Sequence, residues 1–593
     1  MRRLRELRLL LAIQGCIAFV ALVVVVPQLV DCISIEVSTS IEKGKVKALT
    51  DIAEDYNRAD HRLGGRCIEV NVHGTASGKA MLALDEGWTS SDETAAAEPQ
   101  VWMPTWSAWL DLLRFRDKVP GLPSTSEVGS VAQSTLVIAM PQPMAEALRL
   151  DDQEVTWQRM LELAQMDWAT KGHPEWHEFT FAKDDPTRST SGLAATVAAF
   201  YAGTGKVLDN KGALQSSDLG NEDVQRFVLG VEAGVHYYPE DIVDFLGTMA
   251  AHDSEDPEFK HPYVSAAVVQ EQLVYEYNRG VYNDGHPPHT KLVALYPTDG
   301  ALQLDHPYVV LPSADPDQRK AAQDFLTYLL GSDAQAHLTD AGFRDREGDL
   351  ALPGGASEYG LHLDLDSGPL VVPPPSGEVL QTIQDTWSHY RKKARILLVL
   401  DSSASMGSEF STAGGPSRFE VMETTLTDGL EHLPEDDEIG LWTFPGDDGN
   451  GSHSELAPIS PFTSGQKRLI LTEIHDLAET GGRSTPLHRA VLDAYEYLSN
   501  HPAEDRINAV VVLTDGEDHD ETSSLDLDEL LARLDPENAG PMDHPSVKVF
   551  SIALPDASSA TMRSISDRTG AESYSADDRS SLADAFVTIF TSL

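Results

Sequence analysis

The strongest constraint on the fold lies in the last third of the chain. Arg395-Ile-Leu-Leu-Val-Leu400 is an apolar run of strand length. It ends on a carboxylate, Asp401, followed at alternate positions by two hydroxyls, Ser403 and Ser405. From there strand-like runs at 395–400, 439–444, 507–513 and 547–554 alternate with helical patterns at 418–432, 486–499 and 527–534, and helices at 560–568 and 580–592 close the chain. Continuous apolar strands alternating with amphipathic helices require a parallel sheet covered on both faces. The spacing predicts a doubly wound, Rossmann-like α/β domain over 394–593.

In such a sheet, ligands bind beyond the carboxyl ends of the strands. Asp401 stands at one such end and Asp515 at another, after Ile507-Asn-Ala-Val-Val-Val-Leu-Thr514. Gly481-Gly-Arg-Ser-Thr485-Pro486 places the Thr485 hydroxyl just before a helix start. Two carboxylates and three hydroxyls, with no thiolate or imidazole among them, are hard oxygen donors suited to Mg2+, or to Mn2+. Alternation points Asp401, Ser403 and Ser405 the same way. Neutral hydroxyls leave such an ion under-neutralised and open to a carboxylate from elsewhere. The set Asp401-x-Ser403-x-Ser405 with distant Thr485 and Asp515 resembles the metal-ion-dependent adhesion site of von Willebrand factor A domains, over residues 394–593. The resemblance implies Asp401, Ser403 and Ser405 as first-loop ligands, Thr485 as the second-loop ligand and Asp515 as a third-loop residue often acting through water. It also implies a protein partner that donates an acidic residue to the metal. Ala404 stands where that family commonly has Gly.

Residues 32–360 carry a different rhythm. Ile33-Ser-Ile-Glu-Val37 leads through Ser38-Thr-Ser40 into a helix at 42–56, and Cys67-Ile-Glu-Val-Asn-Val72 leads into Gly74-Thr-Ala-Ser-Gly-Lys79. Val101-Trp-Met103 is followed by Pro104-Thr-Trp-Ser107 and a helix, and Phe179-Thr-Phe-Ala182 by Pro186-Thr-Arg-Ser-Thr-Ser-Gly192 and a helix. Strands ending in Ser/Thr turns that open helices put helix N-termini along one sheet edge, where their N–H groups and hydroxyls suit a ligand, best an anionic one. The candidate contacts are Thr39, Ser40, Thr75, Ser77, Thr105, Ser107, Ser189, Thr190 and Ser191, although a hydroxyl before a helix more often serves as a cap. STLVIAMP, PTRSTSGLAA, LVALYPTDG and QDFLTYLLGSDAQAHLTDAGFR resemble type 2 periplasmic solute-binding proteins. That resemblance implies a bilobal domain over 32–360 that closes on a small-molecule solute. One lobe would hold about 33–132 with 305–360, the other about 133–300. A Pro-rich connector and a helix at 378–392 fill 361–393 before the second module.

At the N-terminus, MRRLRELR is basic, and Leu9–Val30 runs 22 residues without a charge, enough to span a bilayer. Residues 1–8 are then a cytoplasmic tail and 9–30 a single-pass transmembrane anchor, or alternatively a signal sequence, with everything after it extracytoplasmic. Cys32 and Cys67 flank strand-like runs and are expected to form a disulfide in that compartment; free thiols or an acylated Cys32 are the alternatives. With 94 acidic against 44 basic residues, the net charge of −50 disfavours nucleic acid and anionic headgroups as partners. Gly74-Thr-Ala-Ser-Gly-Lys-Ala80 falls short of a P-loop, His173-Pro-Glu-Trp-His177 is not a zinc motif, and no nucleophile–base set is legible, so catalysis is not expected. The expectation is a membrane-anchored binding protein that works through a metal-dependent module, or a solute receptor of an ABC-type transport system with that module as accessory.

Overall fold

The computed structural model describes residues 32–88, 97–150, 155–206, 212–239, 241–361, 372–410, 415–430, 433–444, 452–477, 485–503, 505–516, 518, 525–534 and 547–592. The expected tail and apolar segment, 1–30, lie outside the described residues. Among the described residues no helix is long and apolar enough to cross a membrane.

The first sheet begins with β1 (Ile33–Thr39), β2 (Arg62–Leu63), β3 (Arg66–Gly74) and β4 (Val101–Met103). β1 is flanked by β3 and β4, parallel to both. Its alternate residues Ile33, Ile35 and Val37 are buried against Leu49, Ile52 and Tyr56 of the helix Lys43–Arg58 and its surroundings. The register Ile33↔Ile68 puts Cys32 beside Cys67, and the two form a disulfide with Cα atoms 4.5 Å apart.

The second sheet holds β5 (Ser134–Pro141), β6 (Phe181–Ala182), β7 (Val235–Tyr237), β8 (Ala266–Gln270), β9 (Leu292–Leu295) and β10 (Gln303–Leu304). Every residue of β5 is buried, as its apolar run from Leu136 to Met140 demands. The chain then recrosses, and β11 (Val309–Val310) pairs antiparallel with β4, giving the orders β11-β4-β1-β3-β2 and β10-β5-β8-β6-β7 with β9 on β5. The two crossings lie side by side: Val131 N donates to His306 O at 3.2 Å and Tyr308 N to Gly129 O at 3.1 Å.

The return segment differs from expectation. The helices Pro316–Leu329 and Ser332–Asp340 join the first lobe, with Phe325 and Leu338 in its core. Leu352 and Leu361, however, are buried with Tyr275 and Ala294 in the second lobe, where Ala294 bridges Leu361. The apolar surface of β9 and the helix Glu271–Asn278 needs a cover, and this stretch supplies it.

The helix Gly377–Tyr390, expected in a linker, packs against both lobes. Arg116 of the first lobe donates to Gln381 and Gln384 at 2.9 and 3.2 Å. Gln384 donates to the Pro186 carbonyl of the second lobe at 3.0 Å, and Trp387 meets Tyr238 edge-on at 5.3 Å. The helix runs directly into β12 (Lys393–Asp401), the centre of the third sheet.

With β13 (Glu438–Phe444), β14 (Ser454–Pro461), β15 (Arg506–Thr514), β16 (Val547–Ala553) and β17 (Ser573–Ser575), the third sheet has the order β14-β13-β12-β15-β16-β17. In β12, Ile396, Leu398 and Leu400 face one apolar layer and Leu397 and Val399 the other, the period-two division of a strand covered on both sides. β14 is antiparallel and at the edge; its half-exposed residues lack the apolar run that marks its neighbours, so periodicity did not announce it. Docking between modules uses Lys548, whose ammonium donates to the His236 carbonyl at 2.6 Å and lies over the Tyr237 ring.

The disulfide closes a sequence separation of 35 residues, so in the chain-entropy picture it should stabilise the first lobe by about 3–4 kcal/mol. The double variant Cys32→Ala/Cys67→Ala should lose about that much in denaturant unfolding. An unchanged midpoint would refute the contribution.

Candidate metal centre and solute cleft

β12 and β15 run parallel with Leu400 opposite Leu513, so their carboxyl ends deliver Asp401 and Asp515 side by side. Asp401 is fully buried. Its Oδ1 accepts from Ser403 N at 2.8 Å and its Oδ2 from Thr514 Oγ1 at 2.6 Å. Ser403 Oγ and Ser405 Oγ are 2.8 Å apart, and Ser405 Oγ donates to Asp515 Oδ1 at 2.7 Å. Thr485, on the second loop, sits beside the same turn: its Oγ1 is 3.9 Å from where a Cβ would stand on Gly516. Burial pushes the Asp401 carboxyl up to about 6, with Thr514 and Ser403 opposing the rise through their hydrogen bonds and Asp515 adding to it.

The donor set fits a small hard cation. Mg2+ binds oxygen at about 2.0–2.1 Å in an octahedron, so neighbouring ligand oxygens stand about 2.9 Å apart. The Ser403–Ser405 and Ser405–Asp515 oxygen spacings, 2.8 and 2.7 Å, are close to that edge length. Among the described residues no group of three or more His, Cys, Asp or Glu is arranged to hold an ion. A site here therefore depends on its hydroxyls as much as on its two acids.

Two further residues shape the site. Thr514 fixes Asp401, and its place next to Asp515 in the sequence could have revealed it. Arg418, first residue of the helix Arg418–Gly429, donates to Asp515 Oδ2 at 2.7 Å and to Asp556 Oδ2 at 2.5 Å. No local pattern around Arg418 signals that role, because both acids lie far along the chain.

At the other site the four Ser/Thr turns meet between the lobes, which are closed on one another. Gly78 N donates to Arg188 O at 3.1 Å. A Cβ on Gly78 would lie 2.2 Å from that oxygen, so glycine permits this approach. Trp109 Nε1 donates to Thr190 Oγ1 at 2.8 Å, Gly44 N to Glu276 Oε1 at 2.5 Å, and Gln270 Nε2 to Glu42 Oε1.

Most of the candidate hydroxyls are engaged within the protein. Ser40 accepts from Lys45 at 2.7 Å, and Ser189 and Ser191 both donate to Asp184 Oδ2, Ser191 at 2.8 Å. Ser77 Oγ accepts from Thr105 N at 3.1 Å, and Thr105 Oγ1 donates to Glu42 Oε1 at 2.9 Å. Ser107 contributes its backbone N–H to Asp305 at 2.7 Å, and Thr75 is buried with its N–H on Thr39 O at 2.7 Å. The side-chain oxygens of Thr39 and its neighbour Ser38 are buried with no partner among the described residues.

The turns do not form the anion-favouring edge expected from their helix N-termini. Acids occupy it instead. Glu42 precedes the helix Lys43–Arg58 without capping it, and Asp184, Asp241 and Glu276 approach from the second lobe. Burial pushes Asp241 up to about 8, with the charges of Asp244, Asp184 and Glu42 adding to the rise, and Glu276 up to about 7, with Glu42 adding; burial pushes Asp184 up to about 6. Sequence reasoning missed these acids because each is a single residue in a separate segment.

Comparison with known proteins agrees with this layout. The family described as bacterial extracellular solute-binding protein matches residues 40–344, and the von Willebrand factor type A domain matches residues 396–587. Two curated relatives, Uncharacterized protein Rv1836c of Mycobacterium tuberculosis (strain ATCC 25618 / H37Rv) and Uncharacterized protein MT1884 of Mycobacterium tuberculosis (strain CDC 1551 / Oshkosh), are each 23% identical over 480 residues, 79% of this chain. The match spans 64% of the length of those relatives. Among solved structures, the periplasmic binding protein AfuA from Actinobacillus pleuropneumoniae, with fructose-6-phosphate bound, is 10% identical with a TM-score of 0.40, over 61% of this chain and 99% of that one. The von Willebrand factor type A structure from Catenulispora acidiphila is 15% identical with a TM-score of 0.26, over 34% and 42%. The two sheets joined by paired crossings, followed by the six-stranded sheet with Asp401 at its centre, thus have a plain assignment: the chain belongs to the bacterial extracellular solute-binding proteins and carries a von Willebrand factor type A domain after its solute-binding domain.

Proposed function

We propose that this extracytoplasmic binding protein is anchored to the membrane by residues 9–30 and binds a protein partner through a divalent metal, Mg2+ or Mn2+, at the end of β12. The supporting observation is the run of oxygens Ser403, Ser405 and Asp515 spaced at 2.8 and 2.7 Å beside buried Asp401. Asp401, Ser403 and Ser405 would hold the ion from the first loop, with Thr485 from the second loop and Asp515 close by or through water. When bound, the ion supplies an electrophilic position for a carboxylate of the partner. Thr514 and the Ser403 amide keep Asp401 oriented toward that position, and the sheet beneath makes the domain core independent of the ion. The role assigned is binding, not catalysis. The cleft between the lobes supports a second, compatible reading, that of a solute receptor for an ABC-type transporter, because its closed walls leave buried acceptors without donors.

Asp401→Ala should abolish Mg2+ binding in calorimetric titration while circular dichroism stays unchanged. Partner capture that persists in both EDTA and this variant would sink the metal-dependent reading.

Arg418 gives an independent test. Its side chain and that of Asp515 are buried, and removing one member of such a pair costs about 3–5 kcal/mol. Arg418→Ala should therefore destabilise the C-terminal domain in urea, and MgCl2 should recover much of the loss by supplying positive charge beside Asp515. An equal loss with and without MgCl2 would argue against an ion at this position.

A further inference from the structure

Two shortages coincide in the solute cleft. The first is positive charge. Glu42 from the first lobe and Asp184, Asp241 and Glu276 from the second lie within electrostatic reach: Glu42 and Asp184 both act on Asp241, and Glu42 acts on Glu276. The nearby buried cations are too few to balance them: Lys45 acts on Glu42 and Lys183 on Asp184, and each also serves other partners. Lys45 donates to Ser40 Oγ at 2.7 Å and Met103 O at 3.1 Å. Lys183 donates to Thr196 Oγ1 at 2.9 Å and to Glu232, and it lies over the Trp387 ring at 4.3 Å.

The second shortage is of hydrogen-bond donors. Glu42 Oε2, Asp184 Oδ1, Gln270 Oε1 and Gln272 Oε1 are buried with no partner among the described residues. All four are acceptors with nothing to donate, and a buried acceptor without a donor is costly. Gln270 directs its amide N–H to Glu42 across the lobe boundary. Gln272 likewise donates to Glu276 at 2.6 Å.

These shortages define what fits. An anion would meet carboxylates. A neutral polyol would bring donors but leave the charge uncompensated. A bare metal ion needs its ligands around one point, and among the described residues no three acids are so arranged. Acceptors that are separated and lie on both lobes call for a cation with separated donors. We propose that the cleft takes a small organic diamine or polyamine whose ammonium groups bridge Glu42 of the first lobe and Asp184 of the second. This rests on the solute-binding reading of the cleft and names the solute's class. The cation offsets the repulsion between carboxylates on the two lobes, so it favours the closed arrangement over the open one.

The test is calorimetric titration of the purified protein with four probes: butane-1,4-diamine, butane-1,4-diol, succinate and CaCl2. The diamine alone should bind. Glu42→Gln and Asp184→Asn should each weaken it about tenfold or more. Without ligand, Glu42→Gln should melt no lower than the parent, since it relieves the repulsion on Asp241 and Glu276 while keeping the side chain's shape. Binding of the diol, succinate or Ca2+ in place of the diamine, or diamine binding indifferent to both variants, overturns the cationic assignment and leaves a solute site of another class. If the diamine does not bind, the proposal falls. The solute-binding reading falls with it only if native mass spectrometry of the freshly purified protein also finds no retained small molecule.

Discussion

Burial of β12 on both faces is the constraint on which the rest of the molecule hangs. Its residues from Ile396 to Leu400 are fully buried, and they divide between the two apolar layers of the sheet, as do those of its neighbours β13 and β15. Pairing with β13 on one side and β15 on the other fixes what stands at each end. At the carboxyl end, the register sets Asp401 next to the Asp515 turn. At the amino end, the strand continues the helix Gly377–Tyr390, which holds both lobes. A polar residue in the middle of this strand would therefore disturb the candidate metal site and the seat of the solute-binding domain together.

Charge is handled differently on the surface and in the interior. The excess of acids, 94 against 44 basic residues, is affordable where water screens it. Inside, each buried acid needs an answer. Glu232 has Lys183 and the Tyr238 hydroxyl, Glu271 has Arg344 and Tyr296, and Asp437 has Arg391. The acids of the two candidate sites are answered less completely. Asp401 meets only neutral donors, and Glu42 and Asp184 each leave an oxygen unanswered among the described residues. Places where a folded protein leaves a buried charge unmatched are where a ligand can complete it.

The helix Gly377–Tyr390 joins the two modules through contacts with both lobes. It takes hydrogen bonds from Arg116 in one lobe, gives one to Pro186 in the other, and sets Trp387 between Tyr238 and the Lys183 ammonium. Its surface is complementary to the lobes as they stand closed. A movement of one lobe against the other would change the surface on which this helix, and so the start of β12, is packed.

What the sequence by itself determined is the part written in local periodicity. The apolar runs of β12, β13, β15 and β16 announce buried strands. The alternation Asp401, Ser403, Ser405 announces a common direction, and the Ser/Thr turns announce helix starts. Parallel strands with helical crossovers then bring Asp515 and Thr485 to the same edge, so most of the candidate metal site was legible in the sequence. Tertiary structure alone decided the rest. β14 was hidden because an edge strand has no apolar face to advertise. The segment after Arg344 went to the second lobe because that lobe had apolar surface left uncovered. Arg418 reaches Asp515 across 97 positions, and Gln270 reaches Glu42 across 228. The character of the cleft turned on such distant pairs. Its hydroxyls are visible in the sequence as turns, but the acids that make it anionic are single residues from separate segments, and only the closing of two lobes sums their charges in one place.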